Sequence, residues 1–186
     1  MSMSAPPLEP RSARERRVFF AAVLTGAVSL LLDQGTKIWV EAAMRLNESV
    51  PVIDGWFSIT SVRNYGAAWS ILSGHGWFLL LIAALVTTLC VIFFRYLVSG
   101  WPERHFAIFL VLAGVAGNSI DRVWRGAVVD FLDFHYHSIW HYPVFNVADI
   151  SICAGMGIYI LSDLMRPDLK KKTSAGTEEN ADCDCR

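Results

Sequence analysis

Charged residues are scarce in this chain of 186 residues, where Asp, Glu, Lys and Arg together make up 18%. Soluble domains contain about 25% of these residues, and here long stretches contain almost none. We therefore exclude a soluble protein built around a single core. An excess of positive charge is also missing, since the formal net charge is −1. Without a concentrated basic face, nucleic acid is excluded as a partner.

Cysteine motifs and common catalytic loops are missing as well. The four cysteines include no CxxC pair, so we expect neither a disulfide framework nor a structural zinc site. The chain has no P-loop, GxGxxG or GxGD motif. His137 and His141 have the spacing of a zinc protease, but Ser138 stands where the general-base Glu belongs. With His135 nearby a metal site stays an alternative; the preferred interpretation of this loop is an interfacial aromatic belt.

What the chain does contain is four apolar runs, each near the ~20 residues that a helix needs to cross a bilayer. They cover about residues 18–43, 77–98, 106–124 and 144–165. We predict an all-α polytopic membrane protein with four transmembrane helices. Residues 18–165 would form the membrane domain, between a disordered tail of Pro and Arg at 1–17 and a C-terminal tail at 166–186. A cleaved signal peptide is the alternative at the N-terminus, although no small-residue cleavage signal follows the first run.

The basic residues predict an orientation. Nine of the 16 Lys and Arg residues lie in the two tails, and two more, Arg95 and Arg104, lie at the end of the second run and just before the third. By the positive-inside rule both termini are cytoplasmic. Residues 49–63, in the outer connection between helices 1 and 2, are β-branched and aromatic with a central Asp-Gly turn signal. They predict a β-hairpin or a small half-open sheet outside the membrane.

The polar residues of these spans gather near the predicted outer face. Many are spaced at i, i+3 or i+4, which places them on shared helix faces. The set comprises Asp33, Lys37, Asn64, Asn118, Asp121, Arg122, Asp130, Asn146 and Asp149. Because a charge at membrane depth costs at least ~2.5 kcal/mol, such a group indicates a functional site.

Structural roles compete with functional ones for part of this set. Asp33 with Lys37, and Asp121 with Arg122 or Arg125, are equally well explained as ion pairs that hold helices together. For these residues both interpretations stay open.

Asp130 and Asp149 differ, because other acids already account for the basic residues near them. We interpret these two carboxylates as a catalytic pair, and Asn118 and Asn146 as interhelical hydrogen-bonding residues that also border the site. Asp133 is a rival to Asp130. The two point to opposite faces if residues 128–134 are extended and share a face if they are helical.

Five short blocks follow one another with characteristic spacing: LDQGTK at 32–37, RNYGAAW at 63–69, GNSIDR at 117–122, GAVVDF at 126–131 and FNVAD at 145–149. Together, over about residues 18–165, they resemble the lipoprotein signal peptidases (type II, or prolipoprotein signal peptidases). The resemblance implies an aspartic endopeptidase of the bacterial cytoplasmic (inner) membrane. Its substrates would be prolipoproteins, cut N-terminal to a cysteine that carries diacylglycerol, and its small periplasmic sheet would cradle them.

The same resemblance implies that Asp130 and Asp149 are catalytic and that the other polar positions of the set support or line the site. It implies no metal and no cofactor, contact with membrane lipid, and a monomer with its active site near the periplasmic face. Two other classes of function remain as alternatives. A small transporter or channel would need polar residues to continue toward the cytoplasm, and the second and fourth runs have almost none. A non-enzymatic assembly factor would use the outer sheet for docking.

Overall fold

The computed structural model describes residues 12–66, 74–99, 101–137 and 139–165. Within these ranges the chain forms five helices and four strands. In chain order they are α1 (Ala13–Ala43), β1 (Ser49–Ile53), β2 (Phe57–Asn64), α2 (Gly76–Ile92), α3 (Phe94–Val98), α4 (Pro102–Trp124), β3 (Val128–Tyr136), β4 (Trp140–His141) and α5 (Val147–Leu164). The rest of the two predicted tails, residues 1–11 and 166–186, lies outside the described residues.

Helix α1 begins at Ala13, earlier than the predicted start at residue 18. The Glu15 amide donates to the Ser12 hydroxyl at 3.2 Å, and the Ser12 amide donates to the Glu15 carboxylate at 3.1 Å. This reciprocal capping box satisfies two amides that a helix N-terminus otherwise leaves unpaired. Residues 13–17, predicted to belong to the disordered tail, are therefore helical.

Three helices, α1, α4 and α5, are long and apolar enough to cross a membrane. They expose many large apolar side chains, among them Leu31 and Leu161, as expected of surfaces that face lipid. The predicted span at 77–98 is divided instead, because α2 ends at Ile92 and the short α3 follows. Residues 93–98 include neither Pro nor Gly, and nothing in their sequence explains the break.

Helix α4 packs against both α1 and α5 through positions that have no side chain. A Cβ atom at Gly114 would collide with the Ala148 carbonyl oxygen of α5. A Cβ atom at Gly117 would collide with the Asp33 carboxylate of α1. Small residues at such positions let membrane helices approach closely, and here they bring polar groups of three helices together.

The strands form one antiparallel sheet in the order β1-β2-β3-β4. The predicted hairpin is present as β1 and β2, which turn at Gly55 with a φ of 71°. The prediction was incomplete, however, because β3 and β4 come from the connection between α4 and α5. The start of β3 is buried on both faces, so it lacks the alternation of polar and apolar residues that reveals a strand.

The C-terminal ends of α1 and α4 and the N-terminal end of α5 all lead into the sheet. A small core of Val40 from α1 with Val129 and Phe131 from β3 joins α1 to the sheet. This junction holds the start of β3 beside the polar ends of the helices.

Candidate active site

Asp130 and Asp149 border the same cavity. Asp130 is the third residue of β3 and Asp149 the third residue of α5. The cavity has a volume of about 740 Å³, and its polar lining also includes Asn64, Asn118 and Arg122. Helix α2 contributes an apolar wall. The lining of the cavity therefore combines two carboxylates with a hydrophobic helix surface.

Asp130 is 2% exposed and is held by two side-chain amides. Asn64 Nδ2 donates to Oδ2 at 2.9 Å, and Asn146 Nδ2 donates to Oδ1 at 2.7 Å. Burial and then the negative charge of Asp149 raise the pKa of Asp130 to about 7, against the two amide bonds and the charge of Lys37, which lower it. Near neutral pH this carboxyl group can both hold and release a proton.

Asp149 is placed by the capping of its own helix. The Asp149 amide donates to Asn146 Oδ1 at 3.0 Å, and the Asn146 amide donates to Asp149 Oδ2 at 3.2 Å. The second carboxylate oxygen accepts Asn118 Nδ2 at 2.8 Å. The side chain of Asn146 thus bonds the Asp130 carboxylate and caps the helix that carries Asp149. The i, i+3 spacing of Asn146 and Asp149 predicted a shared helix face. The hydrogen bond from Asn146 to Asp130 on β3 is visible only in the structure.

Lys37 lies at the centre of the supporting contacts and is fully buried. Its ammonium group lies 2.9 Å from Asp33 and 2.8 Å from Asp121, and it donates to Asn118 Oδ1 at 3.2 Å. Because an ammonium group only donates, it holds the amide oxygen of Asn118 and leaves Nδ2 for Asp149. Asp33 also accepts the Ala148 amide at 2.8 Å. The predicted Asp33–Lys37 ion pair is therefore present, but it lies within α1. The contact that joins α1 to α4 is Lys37 with Asp121, which the sequence did not predict.

Asp121 and Arg122 have separate partners. Arg125, and not Arg122, pairs with Asp121, at 2.6 Å. Arg122 donates instead to the backbone carbonyls of Asn118, at 3.1 Å, and Gly66, at 2.8 Å. Its guanidinium group therefore ties the end of β2 to α4 at the edge of the cavity.

Sequence reasoning missed a polar group behind the site. Glu41 pairs with Arg125 at 2.7 Å and with Arg63, and Arg125 also donates to Gln34 at 3.1 Å. The available signal was the spacing of Glu41, which follows Lys37 by four residues on α1 and so continues the same helix face. This group joins α1, β2 and the residue after α4.

Asp133 and His137, one residue from each of the two rival interpretations, lie away from the pair. Because β3 is extended, Asp133 faces away from Asp130, and it accepts a hydrogen bond from Thr60 at 2.6 Å. His137 occupies the turn after β3 with a φ of 47°, and its ring lies against Gly55. Neither Asp133 nor His137 belongs to the cavity lining.

Comparisons with known proteins found sequences and a solved structure that are similar to this chain. Residues 25–165 match the sequence model of the family Peptidase_A8, described as Signal peptidase (SPase) II. A lipoprotein signal peptidase of Geobacter sulfurreducens is 40% identical over 158 residues, which are 83% of this chain and 96% of that protein. One from Brevibacillus brevis is 45% identical over 138 residues, 74% of this chain and 91% of the relative.

A solved structure described as a bacterial membrane enzyme, determined by the in meso method at 2.3 Å resolution, has the same fold. It superposes with a TM-score of 0.73 at 36% sequence identity, covering 78% of this chain and 88% of the other.

Proposed function

We propose that Asp130 and Asp149 are the catalytic pair of this chain, which belongs to the signal peptidase II family of bacterial membrane aspartic peptidases that process prolipoproteins. One observation carries the proposal. Both carboxylates border a single cavity and are both bonded by Asn146. Among the described residues no Lys or Arg forms an ion pair with either of them.

The chemistry follows from a proton shared by the pair. Two neighbouring carboxylates cannot both ionise cheaply, so they titrate together, and a pKa of about 7 for Asp130 supports one retained proton near neutral pH. The ionised carboxylate takes a proton from a water molecule, which attacks the scissile carbonyl carbon. The protonated partner donates a hydrogen bond to the carbonyl oxygen and later protonates the leaving amine.

The surrounding polar residues act as positioning groups. Asn146 holds the start of α5 next to β3 through its bond to Asp130. Asn118 donates to Asp149, and Lys37 fixes the orientation of the Asn118 amide. Asn64 supports Asp130 from β2. Asp33 and Asp121 hold Lys37, so their contribution to catalysis is indirect.

Arg122 is suited to bind the substrate backbone. Its Nε atom is buried, with no hydrogen-bond partner among the described residues, and the side chain lines the cavity. A peptide carbonyl of the bound precursor would supply the missing acceptor once binding opens Nε to the cavity.

We infer that the site lies near the outer face of the membrane, with both termini cytoplasmic. The ends of α1 and α4 and the start of α5 lead into the sheet, as expected if each helix crosses once. Helix α2, with its 17 residues, is about 26 Å long. It would complete four crossings in a monomeric domain over about 18–165, with the sheet in the periplasm.

The apolar wall of the cavity fits a lipidated substrate. A cysteine carrying diacylglycerol keeps its acyl chains in the outer leaflet, which brings the scissile bond to the membrane surface. Burial of acyl chains contributes about 0.8 kcal/mol per methylene. We expect the lipid to supply much of the binding free energy, so that an unlipidated precursor is cut more slowly.

The test is release of the signal peptide from a lipidated prolipoprotein by the purified protein and its variants Asp130→Asn and Asp149→Asn. Each variant should lose about 10²–10⁴-fold or more in rate, since acid–base groups contribute that much. Asp163→Asn is the matched control, because Asp163 lies on α5 as Asp149 does but pairs with Arg104 and is largely exposed. Near-normal cleavage by both Asp130 and Asp149 variants would contradict the proposal. Equal cleavage of lipidated and unlipidated precursor would contradict the role of the lipid.

A further inference from the structure

A second cluster of polar side chains lies where β3 meets β4. Asp133 and His135 are two residues apart on β3, so they share one face of the strand. His141 of β4 is the cross-strand partner of His135, and the two imidazole rings stack with centroids 5.2 Å apart. One ligand atom from each of the three side chains lies within 4.8 Å of the other two.

Two buried polar atoms of this cluster have no hydrogen-bond partner within the described ranges. They are Asp133 Oδ1 and His135 Nδ1. Asp133 is only 5% exposed, and its other oxygen already accepts a bond from Thr60. From Oδ1, the His141 Nδ1 atom is 3.4 Å away and His135 Nδ1 is 3.7 Å away. Both distances exceed those of ordinary hydrogen bonds, and a buried carboxylate oxygen without a donor is costly.

We propose that Asp133, His135 and His141 bind one Zn²⁺ ion. Zinc takes imidazole nitrogen and carboxylate oxygen at about 2.0–2.2 Å. Two donors at that distance from a tetrahedral ion lie about 3.4 Å apart, close to the separations of both imidazoles from the Asp133 oxygen. The ion would satisfy the unpaired carboxylate oxygen and the unpaired imidazole nitrogen together. Nitrogen and oxygen donors of this kind favour a first-row transition metal over Mg²⁺ or Ca²⁺.

This site is separate from the pair Asp130 and Asp149, and no step of peptide cleavage passes through it. The sequence pointed to His137 and His141 as the possible zinc pair, whereas the fold brings His135 and His141 together. Since His141 also lines the cavity, a bound ion would fix β4 against β3 beside the cavity wall.

Zinc binding is measured directly on the full-length protein in detergent. The protein is purified with a tag that contains no histidine, treated with EDTA, dialysed and titrated with Zn²⁺ in competition with a chromophoric chelator. We expect one ion per chain and a higher unfolding temperature with zinc. Asp133→Asn and His135→Ala should each weaken binding by about tenfold or more, because each removes one of three ligands. Both should also lose the thermal shift.

His137→Ala is the matched control, since it removes a histidine of the same connection that is not part of the cluster, and it should bind zinc like the wild type. The proposal is overturned if the wild-type protein binds no stoichiometric zinc, or if His137→Ala weakens binding as much as His135→Ala. Should His135→Ala fail to fold, His135→Asn and the wild-type stoichiometry decide the matter. None of these measurements uses prolipoprotein cleavage, so a failure of the zinc site and a failure of the catalytic assignment are distinguishable.

Discussion

Replacing Asp130 with Asn should stabilise the fold while it abolishes cleavage. Burial and the charge of Asp149 raise the pKa of Asp130 from 3.8 to about 7. The folded protein therefore binds this proton more tightly than the unfolded chain does. Stability is lost as the pH rises from about 4 to about 7, and the whole penalty is present above that range. A neutral amide at this position does not carry the penalty.

The magnitude follows from the size of the shift. About three pKa units at 1.36 kcal/mol each correspond to about 4 kcal/mol at pH 8. The substitution also has a cost, because Asp130 accepts Nδ2 bonds from both Asn64 and Asn146, and an Asn side chain has only one acceptor oxygen. A buried Nδ2 donor that loses its acceptor costs about 1–3 kcal/mol. The expected net gain is therefore about 1–3 kcal/mol at pH 8.

The assay is thermal unfolding of wild type and Asp130→Asn in the same detergent between pH 4 and pH 8. The variant should unfold at a higher temperature at pH 8. Its advantage should shrink as the pH falls below 7 and be lost or reversed by pH 4, because the ionisation penalty of the wild type is then almost gone while the variant still lacks one hydrogen bond. A variant that is no more stable than wild type at pH 8, or a difference that does not change with pH, would refute the reasoning.

Two further predictions concern the groups around the pair. Gly117→Ala should destabilise the protein and lower its activity, because the added methyl group collides with Asp33. Gly35→Ala on α1 is the control and should have neither effect, because a Cβ atom there meets nothing within 4 Å. Equal unfolding temperatures for the two variants would contradict the close approach of α4 to α1. Asn64→Leu removes a hydrogen bond that favours ionised Asp130, so the pH–rate curve should move by about one unit to higher pH. A lower maximal rate with no shift along the pH axis would show instead that Asn64 acts by accepting the Gly66 amide.

Short-range sequence patterns correctly predicted contacts between residues that are only a few positions apart. The i, i+4 spacing of Asp33 and Lys37 predicted a shared helix face, and their side chains do meet. Three apolar runs correspond to helices that can span a bilayer. The Asp-Gly signal correctly marked the β1–β2 turn.

The sequence prediction failed at one strand and at the start of one helix. Residues 128–134 could not be assigned to strand or helix because the first part of β3 is buried on both faces. The choice between Asp130 and Asp133 depended on that assignment. The predicted start of α1 is too late because the charged residues 14–17 are typical of a disordered tail, although Ser12 and Glu15 form a capping box.

By itself, the sequence determined that this is a membrane protein, where its polar residues lie along the helices, and which family its five blocks resemble. Only the tertiary structure decided which of those residues meet. Asn64 reaches Asp130 across 66 residues, and the Ala148 amide reaches Asp33 across 115. The physical reason is that helix and strand periodicity relates residues only a few positions apart. Contacts over such separations depend on how α4 packs against α1 and α5, and on two distant connections pairing as one sheet.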